Sequence, residues 1–230
     1  MKKVNSIFWA SLLVMSAAMA QSPFQGTIQY KMDFIGEGME SMQAMFPTGM
    51  VIAVLKTDVM VELQGGMAAM MMGRTIMKTK KGISYMVKDS EEKIYVMDPE
   101  KMKGDEDPTE ANVKPQVTKE DEVITIAGYE CQKYKVVTHT PQGESTAFVW
   151  TTDQFAIPKS SRGAGSSISG MMDMEGVSGT PLKIMTEQGP VTVTFTADEV
   201  ITRLPDKKLF KLPKGYTIED FDASSMMGGM

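Results

Sequence analysis

The chain has 230 residues, and its 24 Lys and Arg against 29 Asp and Glu give a net charge of -5 at pH 7. Nucleic acids are bound through clustered Lys and Arg, so this acidic balance argues against a nucleic-acid partner and we expect none. A single Cys and a single His cannot supply a disulfide or a Cys/His metal cluster. About 200 mature residues are enough to bury one hydrophobic core without disulfides or bound metal ions.

The first 20 residues are typical of a secretory signal peptide. A positive start, Met1-Lys2-Lys3, precedes an apolar run over Ile7–Ala20 that closes on small residues. This run is too short for a membrane span, and no Cys near the expected cut offers a lipid-anchor site. We therefore expect residues 1–20 to be a cleaved signal peptide, and residues 21–223 to form a single domain without a stable membrane anchor. Residues 224–230 should be a disordered tail, and the protein should be periplasmic or secreted.

The mature chain opens with a clear strand pattern. Residues 27–34 alternate between apolar and polar side chains, which predicts a strand with one wet face. The spacing then changes to that of a short amphipathic helix stopped by Pro47, with its apolar side formed by Ile35, Met39, Met42 and Phe46.

Several short strands are predicted next, separated by polar or Gly-containing turns. They cover residues 50–55, 59–63, 75–80, 83–88 and 93–97. Residues 67–72 read as a loop or a helix fragment, and the charged, Pro-containing residues 99–115 as a solvated connection.

The second half begins with a three-stranded meander over Glu122–Trp150, which we take as the centre of the sheet. Thr151-Thr152-Asp153 is expected to cap a helical turn, and residues 160–179, rich in Gly and Ser, to form a flexible flap. Residues 182–188 and 191–203 predict a final hairpin over Gly189-Pro190.

These patterns give ten to eleven short strands and predict a mainly β (α+β) fold. A single antiparallel sheet of this length should curl into an incomplete barrel, because long twisted sheets do not stay flat. Its concave apolar face would need a short helical or loop cover.

Sites for chemistry are scarce in this sequence. His139 lies beside the turn at Thr140 and is interpreted as a solvated residue. There is no Gly-rich phosphate loop, no His-Glu-x-x-His motif and no Cys pair. We therefore expect no catalytic residue, no metal site and no cofactor, and interpret the protein as a non-enzyme.

Methionine is the unusual residue, with 24 in the chain. The mature clusters are Met39, Met42, Met45; Met67, Met70, Met71, Met72; Met171, Met172, Met174; and Met226, Met227, Met230. Thioethers can pack in a core or cover, form an adaptable surface for ligands, or bind Cu(I). Asp173 and Glu175, within or beside the third cluster, are hard ligands that do not favour copper.

Four motifs carry a resemblance to a known family. They are Phe24-x-Gly26-x-Ile28-x-Tyr30, the run Ile126–Tyr134, Phe148–Thr152 and Leu209–Tyr216, and they accompany the methionine-rich helix and the strands that follow it. With these the chain resembles the domain-of-unknown-function 4412 family of secreted or periplasmic proteins. That family is similar in fold to the lipoprotein carriers LolA and LolB, which implies a LolA-like half-barrel around a cavity for a hydrophobic ligand.

We therefore expect a non-enzymatic periplasmic protein that binds a lipid or another hydrophobic small molecule in the trough of the sheet. The residues expected to contact the ligand are Ile28, Tyr30, Met32, Phe34, Val193 and Phe195 on the wall, and Met39, Met42, Phe46 and Met70 on the cover. Two alternatives stay open: an envelope structural or assembly protein without a small-molecule ligand, and Cu(I) binding by the methionine clusters. The sequence does not identify a protein partner.

Overall fold

The computed structural model describes residues 22–98, 101, 114–140, 143–158 and 174–222. The predicted signal peptide, the predicted tail and most of the charged connection and of the Gly/Ser-rich flap lie outside these residues.

Fourteen strands occur in the described part of the chain. Those of the first half are β1 (Ser22–Pro23), β2 (Gly26–Gly36), β3 (Gly49–Leu55), β4 (Asp58–Gln64), β5 (Arg74–Lys78), β6 (Ile83–Lys88) and β7 (Lys93–Met97). Those of the second half are β8 (Gln116–Ile126), β9 (Tyr129–Thr140), β10 (Gly143–Thr152), β11 (Phe155–Ala156), β12 (Thr180–Gln188), β13 (Val191–Ile201) and β14 (Thr217–Asp220). The helices are α1 (Met39–Met42) and α2 (Gly66–Met72), with 3₁₀ segments at Gln43–Met45 and Lys207–Phe210.

Twelve of the strands form one curled, unclosed sheet, as the sequence predicts. Its order is β14-β7-β6-β5-β4-β3-β2-β13-β12-β10-β9-β8. Every pair is antiparallel except β14 with β7. β1 and β11 pair separately and in parallel. The mainly β class and the incomplete barrel are therefore confirmed, with more strands than the ten to eleven expected.

The meander β8–β10 lies at one edge of the sheet, so its predicted central position is wrong. The middle of the sheet is the pairing of β3 with β2, and the next pairing, β2 with β13, joins the N-terminal and C-terminal parts of the chain. β8 is suited to an edge because its register shifts between Lys119 and Val123, where three acidic residues stand in a row. A bulge and charge discourage the addition of another strand.

The inner face of the sheet carries the larger core. Directly opposed residues on four neighbouring strands form one buried row across it: Val149, Ile184, Phe195 and Met32. At one end of the trough the Phe24 and Phe155 rings lie 4.7 Å apart, and Tyr129 meets Phe155 edge-on at 5.1 Å. This aromatic group fills the end of the trough where β2 begins.

The outer face of β3–β7 carries a second, smaller core. It consists of Ala53, Met60, Ile76, Val87, Ile94 and Phe210, with Leu55, Tyr85, Leu212 and Tyr216 packed against it. The segment after β13 crosses this face and ends as β14 beside β7. Along the way Lys78 Nζ donates to the Phe210 carbonyl at 3.1 Å and pairs with Asp58 at 2.6 Å. The C-terminal segment is therefore part of the packed fold up to β14.

Two predicted helical elements differ from the structure. The helix expected from Ile35 begins only at Met39, because β2 runs on to Gly36 and Gly38 adopts a left-handed φ of 79°. Thr151 and Thr152 do not cap a helical turn, since both are buried in β10. Residues 67–72, interpreted as a loop or a helix fragment, form a helix, α2.

Tyr30 and Cys131 are buried together in the inner core. The Tyr30 hydroxyl donates to the Pro181 carbonyl at 2.7 Å, and burial raises its pKa above the usual range, with Cys131 adding to the shift. Burial also raises the pKa of the Cys131 thiol to about 11. Both groups are therefore held neutral in the folded protein.

Stability should fall on the alkaline side for this reason. In the unfolded chain the thiol ionises near pH ~8.5 and the phenol near ~10. Above those values the unfolded state loses protons that the folded state keeps, so the free energy of unfolding decreases as pH rises. Urea titrations from neutral pH up to about the Cys131 pKa of 11 should show this decline, with a shallower slope for Cys131→Ala. An identical slope for the variant would contradict this assignment.

Candidate functional site

β2 extends beyond its neighbour β3 at the open end of the trough. With β13 it pairs as far as Gly36, whereas with β3 the register ends at Lys31 opposite Gly49. The last contact on that side is the Met32 amide, which donates to the Thr48 carbonyl at 3.0 Å. Residues 33–36 are therefore paired on one side only among the described strands, and we call them the free edge of β2.

The chain between β2 and β3 folds back beside this free edge. It turns at Gly38, forms α1 and the 3₁₀ segment, and returns through Phe46 and Pro47. Met39 is buried. This contact holds α1 in place, because a helix of four residues is not stable by itself. The Phe46 ring stacks on the Phe34 ring with centroids 4.7 Å apart. This segment is the cover of the site.

α2 packs against the cover. It packs against the 3₁₀ segment and against β4. Gly65 and Gly66, which lead into α2, have φ of 71° and 66°. A Cβ at Gly66 would lie 2.1 Å from the Phe46 carbonyl oxygen, and one at Gly65 would lie 2.3 Å from the Thr48 hydroxyl. The two glycines thus allow the backbones of α2 and the cover to touch.

A cavity of about 330 Å³ lies between the free edge and the cover. It is lined by Met32, Asp33, Phe34, Ile35, Gly36, Met39, Glu40, Gln43, Phe46, Pro47 and Thr48. The lining includes five consecutive residues of β2, although successive side chains of a strand point to opposite faces. Five in a row can line one cavity only if the backbone edge of the strand is itself part of the wall.

The lining combines soft apolar groups with acidic ones. Two thioethers, Met32 and Met39, and the stacked ring pair Phe34 and Phe46 supply adaptable apolar surface. The charged lining residues are Asp33 and Glu40, and Lys and Arg are absent from the lining. Such a wall suits an apolar group that is neutral or carries positive charge, and disfavours a carboxylate.

Of the ten residues expected to contact a ligand, four line this cavity: Met32, Phe34, Met39 and Phe46. Ile28, Tyr30 and Phe195 are buried in the inner core, and Val193 packs partly against it. Met42 and Met70 are 41% and 80% exposed and do not line the cavity. The inner face is thus filled by its own side chains near the middle of β2, and the cavity lies at its end.

The first two methionine clusters meet at the surface. Met42, Met45, Met67, Met70 and Met71 are all exposed, and they lie on α1, the following 3₁₀ segment and α2, of which the last two pack together. We call these five residues the methionine surface. Of the third cluster only Met174 is described, and it packs against the inner core; the fourth cluster lies outside the described residues.

Other parts of the described chain offer less chemistry. His139 is exposed on β9, with Nδ1 3.7 Å from the Glu144 carboxylate. No group of three or more His, Cys, Asp or Glu side chains in the described ranges is arranged to hold a metal ion. Within the same residues no helix has both the length and the apolar character to cross a membrane.

Sequence reasoning missed the residues that form the rim of the cavity. Gly36, Pro47 and Thr48 line it, but Pro47 was interpreted only as a helix stop, and Gly36 and Thr48 were assigned no role. A signal was present in the unequal lengths of the strand patterns, since the first apolar-polar alternation is longer than the run at residues 50–55. A strand that is longer than its neighbour leaves an unpaired edge.

Comparisons with known proteins identify a family and a similar solved structure. A family model described as "Domain of unknown function (DUF4412)" matches residues 24–216. No curated protein matches the chain. Among solved structures, LprF from Mycobacterium bovis is similar with 10% sequence identity and a TM-score of 0.34, over 79% of this chain and 88% of that chain.

Proposed function

The chain belongs to the DUF4412 family, and we propose that it is a non-enzymatic periplasmic or secreted protein that binds a small apolar ligand at the end of β2. The observation that supports this proposal is the cavity between the free edge and the cover, with its thioether and aromatic lining. The predicted signal peptide supports the location.

The size of the cavity limits the ligand. A volume of about 330 Å³ is at the lower end of the range for small-molecule sites, about 300–1,000 Å³. It accommodates a compact apolar molecule or the end of an acyl chain, not a whole multi-chain lipid. Because Asp33 and Glu40 are the charged lining residues, a neutral or cationic ligand should bind better than a fatty acid.

The energetics favour reversible binding. Each buried methylene contributes about 0.8 kcal/mol, so ten of them contribute about 8 kcal/mol. Association costs about 4–15 kcal/mol in lost translational and rotational freedom. Modest net affinity follows, which suits a protein that takes up and releases a ligand without an energy source.

The test is titration of the mature protein with the neutral fluorophore N-phenyl-1-naphthylamine. We expect saturable binding that weakens about fivefold or more in Phe46→Ala, because this variant removes an aromatic ring from the cavity lining, and the contact of such a ring with an aromatic ligand is worth about 1 kcal/mol. Native mass spectrometry of protein purified without harsh detergent should also show a bound apolar molecule.

Phe148→Ala is the matched control, since Phe148 is likewise partly buried and paired with an aromatic ring, Trp150, at 6.5 Å. It lies outside the cavity and should change the affinity less than about twofold. Equal weakening by both variants would contradict the assigned site, and absence of saturable binding to the wild-type protein would contradict the proposal.

A further inference from the structure

The free edge of β2 presents unpaired backbone groups to the cavity. In an antiparallel strand the N–H and C=O of one residue point to the same neighbour, and the direction alternates from residue to residue. Met32 directs its amide toward the β3 side, to Thr48. Two and four residues later, Phe34 and Gly36 must direct their amides the same way, away from β13. No described residue is hydrogen-bonded to either amide on that side.

We infer that this edge takes an extended segment of a partner protein as an added β-strand, with apolar side chains of the segment seated in the cavity and basic ones between them. The inference goes beyond the proposed function, because it places a peptide strand, and not a small molecule, at the same cavity. Backbone pairing gives such a complex its affinity, and the pockets for alternate side chains give it specificity.

The two outer edges of the sheet are protected by short length, a register shift or charge, whereas the free edge of β2 faces the cavity, with the cover on its far side. β8 has the register shift and the acidic row described above. β14 is only four residues long and includes Glu219 and Asp220, which are paired with Lys93 and Lys101. Short length, bulges and charge are the usual protections of sheet edges. The free edge of β2 instead contains Ile35, whose side chain is 67% exposed, followed by Gly36.

Charge favours a basic segment. Asp33 and Glu40 line the cavity, and the exposed Glu37 lies on the turn between them. The chain as a whole has a net charge of -5. Lys or Arg residues that flank the apolar positions of the partner would meet these carboxylates at the rim, where opposite charges speed association and help to fix the register.

The length of the edge sets the length of the segment. At about 3.4 Å per residue, residues 33–36 pair with a strand of about four residues. The adjoining methionine surface offers adaptable contacts to residues on either side of it. The expected binding is therefore weak to moderate, and tolerant of the apolar residue type.

The test uses labelled hexapeptides in which lysine alternates with valine, leucine, methionine or phenylalanine, titrated into the mature protein by fluorescence anisotropy. At least one should bind with a dissociation constant below about millimolar. The matching peptides with glutamate in place of lysine should bind about tenfold more weakly. Two N-methylated versions of the best peptide, one modified at every apolar residue and one at every lysine, test backbone pairing.

Only one of the two methylated peptides should lose affinity, by about tenfold or more, because alternate amides of a paired strand face the edge. Equal effects of the two, or no effect, would overturn the inference. Ile35→Lys should weaken peptide binding about fivefold or more by placing a like charge on the edge. Val123→Lys, a matched change at a 54% exposed position on β8, should leave binding within about twofold; equal weakening would also overturn the inference.

The fluorophore titration separates the two proposals. If N-phenyl-1-naphthylamine binds and none of the hexapeptides does, the inference is overturned and the proposed function stands. If the peptides bind with the expected methylation pattern and the fluorophore does not, the small-molecule proposal fails alone. If neither binds, both fail.

Discussion

Replacing Phe210 by Ala is expected to lower the free energy of unfolding by about 3–5 kcal/mol, the usual cost of truncating a buried aromatic side chain. Phe210 is 5% exposed and closes the outer core over Ile76, Val87 and Ile94. Its loss removes apolar burial and leaves a cavity under the segment that leads to β14. Urea unfolding followed by circular dichroism measures the change.

The neighbouring Leu209 provides the control for Phe210. It is 36% exposed and belongs to the same 3₁₀ segment, so Leu209→Ala should cost less than about 1 kcal/mol. A loss of stability in Leu209→Ala as large as that in Phe210→Ala would mean that the C-terminal segment is not packed on the outer face as described.

Gly66→Ala is expected to cost about 2–6 kcal/mol and to weaken fluorophore binding. Its φ of 66° is unfavourable for Ala, which costs about 1–3 kcal/mol. The added Cβ would also lie 2.1 Å from the Phe46 carbonyl oxygen, and relieving that overlap costs about 1–3 kcal/mol more. Because Phe46 forms one wall of the cavity, the displaced cover should bind the fluorophore less tightly.

Gly189→Ala is the control, as Gly189 has a similar φ of 59° and nothing within 4 Å of the added Cβ. It should cost only the backbone term of about 1–3 kcal/mol, and leave fluorophore binding unchanged. If the two variants lost equal stability and bound the fluorophore equally well, the contact between α2 and the cover would be contradicted.

The strands could be predicted from the sequence because each pattern is local. Side-chain alternation over residues 27–34 and 191–197 depends only on the two faces of a strand, and it correctly identified β2 and β13. The order of strands in the sheet is not local. The side-chain pattern of residues 122–150 does not indicate that the meander lies at an edge of the sheet. For this reason it was wrongly placed at the centre.

The start of the cover was wrongly predicted because two periods overlap there. Ile35 fits both a continuing strand and the first position of an apolar helical stripe, and short apolar runs do not separate the two. The extended segment ends because Gly38 adopts a left-handed backbone. Glycine accepts this conformation readily, but the periodicity of the apolar residues does not indicate where in the chain it occurs.

The candidate site was only partly predictable for a similar reason. Alternation places Ile28, Tyr30, Met32 and Phe34 on one face, but it does not tell which positions along that face are filled. The filling comes from distant parts of the chain, such as Pro181, which accepts from Tyr30, and Phe155, which packs on Phe24. The cavity lies at the end of β2 beside the cover.

The central claim is that the ligand binds between the free edge and the cover, and methionine methyl NMR tests it most directly. In protein labelled at the methionine methyl groups, saturation with N-phenyl-1-naphthylamine should shift the signals of Met32 and Met39, which line the cavity. Met60, fully buried in the outer core, should not move. Shifts confined to Met67, Met70 and Met71, or unchanged Met32 and Met39 signals at saturation, would contradict the claim.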